Sequence, residues 1–325
     1  MIQAIIAVLV FFAFIVAVFI ILTIRFKSGK NKVEELWNKT HIEKIKDIGS
    51  TKSLEILPLI DWYTAGEDLK GEPGVSYLIK TDNNTILFDV GMNIENTHPS
   101  PLLHNMNRLN IGTNDFDIIV ISHNHLDHVG GMKWMRNKTF SLTNHQIDLG
   151  KKKVYTPIPM TYPGLNPTWT EKPTVIAKGV ATIGTIPNEL FFMGRTLEQS
   201  LAVNVEGKGI VVLVGCGHQT LPKIIDRTKA LFDEPIYGVI GGLHYPVTGG
   251  RGKIPIHKYV GTGKPPWSPI TLEEVRENIN YLKETNPQIV GLSAHDSCDA
   301  SIEAFRKAFP DSIKDIKVGE KITIS

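Results

Sequence analysis

Residues 122–131 read Ser-His-Asn-His-Leu-Asp-His-Val-Gly-Gly, which places four potential metal ligands, His123, His125, Asp127 and His128, within six residues. They follow directly on the apolar run from Phe116 to Ile121, the pattern of a strand that ends in a compact loop. Imidazole nitrogens and a carboxylate suit zinc and similar borderline divalent ions. Alternation along an extended loop puts His123 and His125 on one side, leaving Asp127 and His128 to face a second ion. Of 11 histidines in the chain, three fall in this one hexamer, which argues against a chance polar loop.

One loop cannot close two metal sites, so other ligands must come from elsewhere. Three later histidines stand where strands should end. His218 follows Ile210–Gly217, His244 follows Tyr237–Leu243, and His295 follows Ile289–Ala294. Each has an apolar run, then small residues, then His. Strand ends along one edge of a sheet are where α/β proteins gather their chemistry.

These elements resemble the metallo-β-lactamase fold superfamily of binuclear metallohydrolases, over roughly residues 54–325. The Ser-His-x-His-x-Asp-His-x-Gly-Gly, Gly-Cys-x-His (215–218) and Gly-Gly-x-His (241–244) elements are similar to its dihydropterin ribofuranosyl-aminobenzene-phosphate synthase-related branch. The resemblance implies a four-layer αβ/βα sandwich. It also implies that His123, His125 and His218 hold one metal and that Asp127, His128 and His295 hold the other, with Asp89 supporting the metal loop without binding. The cofactors expected are two divalent ions, zinc first, with manganese or iron as alternatives. Two departures stand out. Where most members place a bridging Asp after a strand, this chain is expected to place His244, and a neutral imidazole cannot bridge two cations as a carboxylate does. His244 is therefore read either as binding one metal or as hydrogen-bonding the substrate or the attacking water, and Asp127 as a ligand that also orients the nucleophile. The last ligand segment, His295-Asp-Ser-Cys-Asp, replaces the branch's more usual His-Cys-Thr-Gly.

Ala4 to Leu22 is 19 residues without a polar side chain. As a helix it spans about 28 Å, against a bilayer core of roughly 30 Å. A cleaved signal would want a charged n-region, a shorter apolar stretch and an A-x-A-like site; this stretch has none. No Lys or Arg precedes it, whereas Arg25, Lys27, Lys30 and Lys32 follow. Cationic flanks stay on the cytoplasmic side, so a single-pass anchor with a cytosolic catalytic domain is expected. The domains then read 1–25 anchor, 26–53 juxtamembrane linker and 54–325 catalytic domain. Val33 to Ile48 reads as a short amphipathic helix. Cys216 and Cys298 are too few for a disulfide scaffold and are read as small buried residues.

Two long segments resist regular structure. Residues 151–173 carry five prolines, and residues 245–269 combine Gly and Pro with Arg251, Lys253, Lys258 and Lys264. Long loops of this kind in compact domains are usually functional or disordered. The second begins just after His244, so Arg251, Lys253 and Lys258 are expected to bind an anionic small-molecule substrate. A formal net charge of +2 with no basic stripe disfavours nucleic acid as a partner. The chemistry expected is hydrolysis of an ester-, lactone- or phosphate-type bond by metal-activated water. The alternatives are a synthase-like transferase, displacing pyrophosphate from a pterin methyl carbon, or a metal-binding membrane module without turnover.

Overall fold

The computed structural model of the chain describes residues 1–249, 251 and 255–325. Among these residues two large sheets face each other. The first contains β1 (Leu54–Ile60), β2 (Ser76–Thr81), β3 (Thr85–Phe88), β4 (Ile118–Val120), β5 (Lys153–Thr156), β6 (Thr168–Trp169) and β15 (Ile322–Ile324), in the order β15-β1-β2-β3-β4-β5-β6. The second contains β7 (Thr174–Ala177), β8 (Val180–Thr182), β11 (Leu201–Val205), β12 (Gly209–Val214), β13 (Ile236–Gly241) and β14 (Ile289–Leu292), in the order β14-β13-β12-β11-β8-β7. A separate hairpin pairs β9 (Ile186–Leu190) with β10 (Gly194–Glu198).

The period-two alternation of strand side chains sorts one strand's residues between two cores. In β12, Val211 and Leu213 join the cluster between the sheets, where they meet Leu54, Ile56, Tyr77 and Phe88. Ile210, Val212 and Val214 of the same strand face the opposite way, toward helices α4 (Leu221–Leu231), α5 (Leu272–Lys283) and α6 (Asp299–Ala308). The first sheet repeats the arrangement. Ile118 and Val120 point between the sheets, while Ile119 packs with Leu102 and Met106 of α2 (Pro101–Arg108) and Trp134 of α3 (Met132–Arg136). The result is the four-layer αβ/βα sandwich that the sequence led us to expect. Helix starts follow local chemistry. Ser100 caps α2 ahead of Pro101, and Thr271 with Glu274 closes a capping box on α5.

The N-terminal helix α1 runs without interruption from Ile2 to Lys39. The separate amphipathic helix expected over 33–48 is therefore corrected: helix ends at Lys39, and the following chain is non-helical. Ile42 and Ile45 pack on the helix-side core, and Ile48 is buried in it. Backbone pairing to the domain, such as the Ile45 N–H donating to the Leu231 carbonyl at 3.0 Å, replaces the intrahelical bonds. The last strand, Ile322–Ile324, is short because only there does the chain pair with β1.

Strands β12, β13 and β14 are mutually parallel, so their C-terminal ends share one edge. Strands β3 and β4 are parallel as well. The residues that leave these ends build the site.

Candidate metal centre

Asp61 follows β1, Asp89 follows β3, and the 123–128 loop follows β4. Across the sandwich, Cys216 and His218 follow β12, His244 follows β13 and His295 follows β14. An isolated bridge between His123 and Glu198 ties the metal loop to the hairpin's second strand. The approach of the two halves is close. A side chain on Gly215 would place its Cβ 2.2 Å from Ser122 Oγ, so only glycine fits ahead of Cys216.

Hydrogen bonds fix the ring orientations of four histidines. Ser122 Oγ donates to Asp89 Oδ2 at 2.6 Å, so it accepts the Nδ1–H of His123 at 3.0 Å. The Nδ1–H of His128 donates to the same Asp89 carboxylate at 2.7 Å. Ser293 Oγ donates to Asp61 Oδ2 at 2.6 Å and accepts the Nδ1–H of His295 at 2.6 Å. The Nδ1–H of His218 donates to the Gly261 carbonyl at 2.7 Å. In each ring the other nitrogen, Nε2, is left with a lone pair. Outer partners of this kind fix the tautomer and raise the basicity of a metal-binding imidazole.

The Nε2 atoms of His123, His128 and His295 are buried without a hydrogen-bond partner. Each such orphan costs about 1–3 kcal/mol. Three converging on one place are an arrangement that a cation relieves. Ligand atoms within 4.8 Å of one another form the groups His123–His125–Asp127, His123–Cys216–His218 and Asp127–His128–Cys216–His295. Nδ1 of His125 lies 3.1 Å from Nε2 of His218. Six residues expected as ligands, His123, His125, Asp127, His128, His218 and His295, are thus brought together, and their nitrogen-rich, carboxylate-containing donor set fits a divalent ion such as zinc.

The structure corrects the reading of the position between the two sets. Cys216, read as a small buried residue, is indeed buried, but its sulfur belongs to groups on both sides. His244 stands behind it. The ring's Nε2–H donates to the Val260 carbonyl at 2.8 Å, and its Nδ1 faces Cys216 Sγ at 3.3 Å. Its backbone N–H donates to Asp296 Oδ2 at 2.8 Å, and its φ of 53° is in the strained left-handed region. Burial lowers the His244 imidazole to about 3 and pushes the Cys216 thiol up, so the sulfur ionises only against a cation.

Buried carboxyls that sequence reasoning missed complete the frame. Glu198 accepts the backbone N–H groups of Cys216, Gly217 and His218 at 2.8–2.9 Å, which shapes the ligand turn. Burial raises Asp61 to about 6, Glu198 to about 7 and Asp296 to about 8.

The expected substrate cations fare differently. Arg251 donates to the Ala294 carbonyl and the Tyr63 hydroxyl, each at 2.8 Å, and to Asp299 at 2.5 Å. Its guanidinium is spent on pinning the loop to the protein, not offered to a ligand. Lys264 pairs with Glu274. Lys258 is half-buried in a short 3-10 helix, Pro255–Tyr259, and Lys253 lies outside the described residues. The cation that does line a cavity reaching the centre is Arg195. That cavity has a volume of about 450 Å³ and is also lined by His125, Met135, Ile158 and Met193.

The signature of the metallo-β-lactamase superfamily matches residues 69–141, a span that contains the whole 123–128 loop. A solved structure described as Tm1679, a metal-dependent hydrolase of the β-lactamase superfamily, superposes with a TM-score of 0.56 at 21% identity, covering 84% of this chain and 99% of that one. These likenesses show the metallo-β-lactamase fold and a match to that superfamily's signature around the 123–128 loop. Another member of this fold, YhfI from Bacillus subtilis, superposes with a TM-score of 0.50 at 12% identity over 84% of this chain and all of its own. Among curated sequences, the 7,8-dihydropterin-6-methyl-4-(β-D-ribofuranosyl)-aminobenzene-5'-phosphate synthase of Methanocaldococcus jannaschii is 28% identical, covering 62% of this chain and 80% of that protein. An uncharacterised protein, MJ0448, of the same organism is 27% identical over 56% of this chain and 76% of its own length.

Proposed function

We propose that this metallo-β-lactamase-fold chain is a metal-dependent hydrolase, held at a membrane by α1, that uses two divalent ions on an ester-, lactone- or phosphate-type substrate. The observation that carries this reading is the convergence of three buried, unpartnered Nε2 atoms on one carboxylate and one thiol. His123, His125 and His218 would hold one ion, Asp127, His128 and His295 the other, with Cys216 between them. When bound, such a pair lowers the pKa of a water and polarises the bond it attacks.

The chain's own groups supply the rest. Asp127, part of both ligand sets, presents a carboxylate oxygen that can accept a hydrogen bond from the attacking water and hold it in line. Asp89, directly and through Ser122, and Asp61, through Ser293, hold three imidazoles in one tautomer throughout. Arg195 is placed to take up a negative group on the substrate. His244 reaches the site through Cys216 and positions that sulfur.

Metal analysis of the purified chain tests the reading. Two divalent ions per chain are expected, with at least one lost in His125→Ala; no bound metal in either protein would end it. The synthase relative supports a second reading, displacement at carbon with pyrophosphate leaving. Chromogenic ester, lactone and phosphodiester substrates, assayed beside pyrophosphate release from a pterin diphosphate, separate the two.

A further inference from the structure

Phe19 lies inside the apolar stretch Ala4–Leu22, three residues before its end. Its ring centroid is 5.7 Å from that of Phe191 and 5.4 Å from that of Trp267. Phe191 also packs on Trp267 and, one turn beyond the stretch, on Phe26. Arg25 donates to the Phe191 carbonyl at 2.8 Å, and Lys30 to Asn188 at 2.9 Å. Helix α1 is therefore no free tether. It holds the β9–β10 hairpin at the depth where the apolar stretch gives way to charge.

The hairpin tip is apolar and uncovered at that depth. Phe192 is 45% exposed, Met193 41% and Trp267 54%. Trp favours the headgroup level of a bilayer, and Trp267, with the apolar Phe192 and Met193, sits where a membrane around α1 would cover it. The same hairpin forms a wall of the metal cavity. Met193, Arg195 and Thr196 line it together with Met135, Ile158 and the metal-centre residue His125.

We propose that the metal cavity opens at the bilayer surface beside the anchor, and that its substrate is an amphiphile that stays in the membrane. The head of the substrate enters toward His125 with its anionic group on Arg195, and its apolar chain passes Ile158 and Met193 back to the bilayer. This rests on the hydrolytic, membrane-anchored reading above. Hydrolysis adds one water across the linkage: the water oxygen bonds to the acyl carbon or phosphorus, the ester bond to the leaving oxygen breaks, and that oxygen takes a proton.

The test uses the full chain, loaded with cobalt(II) and reconstituted in phosphatidylcholine vesicles. Dodecylphosphonate and methylphosphonate are titrated while the visible spectrum of the metal is read, which needs no turnover. Dodecylphosphonate is expected to perturb the spectrum at a concentration at least ten-fold lower. In Met193→Asp and Ile158→Asp the ratio of the two concentrations should fall to near one, whatever happens to methylphosphonate binding itself, which separates a chain seated in the cavity from simple enrichment in the vesicle. Equal concentrations for the two ligands, or an advantage unchanged in both variants, would overturn the proposal. A chain that binds no cobalt defeats the metal reading instead, and quenching by brominated lipid then decides the membrane-facing mouth. Quenching that falls in Trp267→Phe supports it, and quenching equal in the two proteins overturns it.

Discussion

Cys216 follows the end of β12, and its sulfur lies within reach of both groups of candidate ligands. A thiolate can serve there because it is anionic, as an imidazole is not. In the cobalt(II)-loaded protein this predicts a sulfur-to-metal charge-transfer band in the near ultraviolet, lost in Cys216→Ser. A spectrum with no such band in the unaltered protein would return Cys216 to a packing role. The serine relays give a second prediction. Removing an outer-sphere partner typically lowers metal affinity 10–100-fold, so Ser293→Ala should weaken metal binding by about that factor while the fold persists. Unchanged affinity, measured by competition with a chelator, would show that the Asp61–Ser293–His295 chain orients nothing. The His-x-His-x-Asp-His loop was legible because its residues are neighbours in sequence and their spacing carries the chemistry. Asp61 was not, because its meaning lies in a bond to Ser293, 232 residues away. Glu198 was missed for the same reason: a lone Glu in a strand says nothing of the three amides it will collect. Of the cations after His244, sequence shows the charge but not what it will pair with, and Arg251 is already paired within the protein.

Most strands and helices of the sandwich follow the apolar runs, since the unbroken runs Val211–Leu213 and Ile118–Val120 mark strands buried on both faces. The β9–β10 hairpin escaped notice because Ile186-Pro-Asn-Glu-Leu190 has neither clean alternation nor an apolar run; tertiary placement, not propensity, makes it a strand. The catalytic domain is expected to begin at residue 54, yet burial crosses that boundary. Phe26, Val33 and Ile48 are at most 6% exposed, and Lys223 pairs with Glu34 at 2.6 Å. Burying a side chain of this size stabilises by about 1.5–3 kcal/mol. A chain beginning at Leu54 forfeits all three, whereas one beginning at Arg25 keeps them. The shorter form should therefore melt lower by roughly ten degrees or more, taking about 2–4 °C per kcal/mol for a domain approaching this size. Equal melting temperatures in the same detergent buffer would mean that the helix end and linker only rest on the domain.

At the scale of the whole molecule, the anchor's cationic flank and its docking to the domain point the same way. Arg25, Lys27, Lys30 and Lys32 all follow the apolar stretch, and no cation precedes it. If α1 spans a membrane as proposed, the insertion bias that retains Lys and Arg would hold these cations on the cytoplasmic side. Two of these residues are also tied to the domain, Arg25 to Phe191 and Lys30 to Asn188, so the domain must lie on whichever side they occupy. On the membrane-anchored reading proposed above, the overall charge of +2 is too small to set orientation, and the local asymmetry around residues 4–32 would set it. The expected topology is N-terminus outside and catalytic domain in the cytosol. A reporter that fluoresces only in the cytosol, fused after Ser325, should be active, and protease added to intact cells should leave the fusion whole. Moving the charge tests the cause: Arg25→Ser, Lys27→Ser and Lys32→Ser combined with new lysines before Ala4 should invert part of the population. A fusion cut by external protease in the unaltered chain, or a mature protein that starts near residue 25, would overturn the anchor.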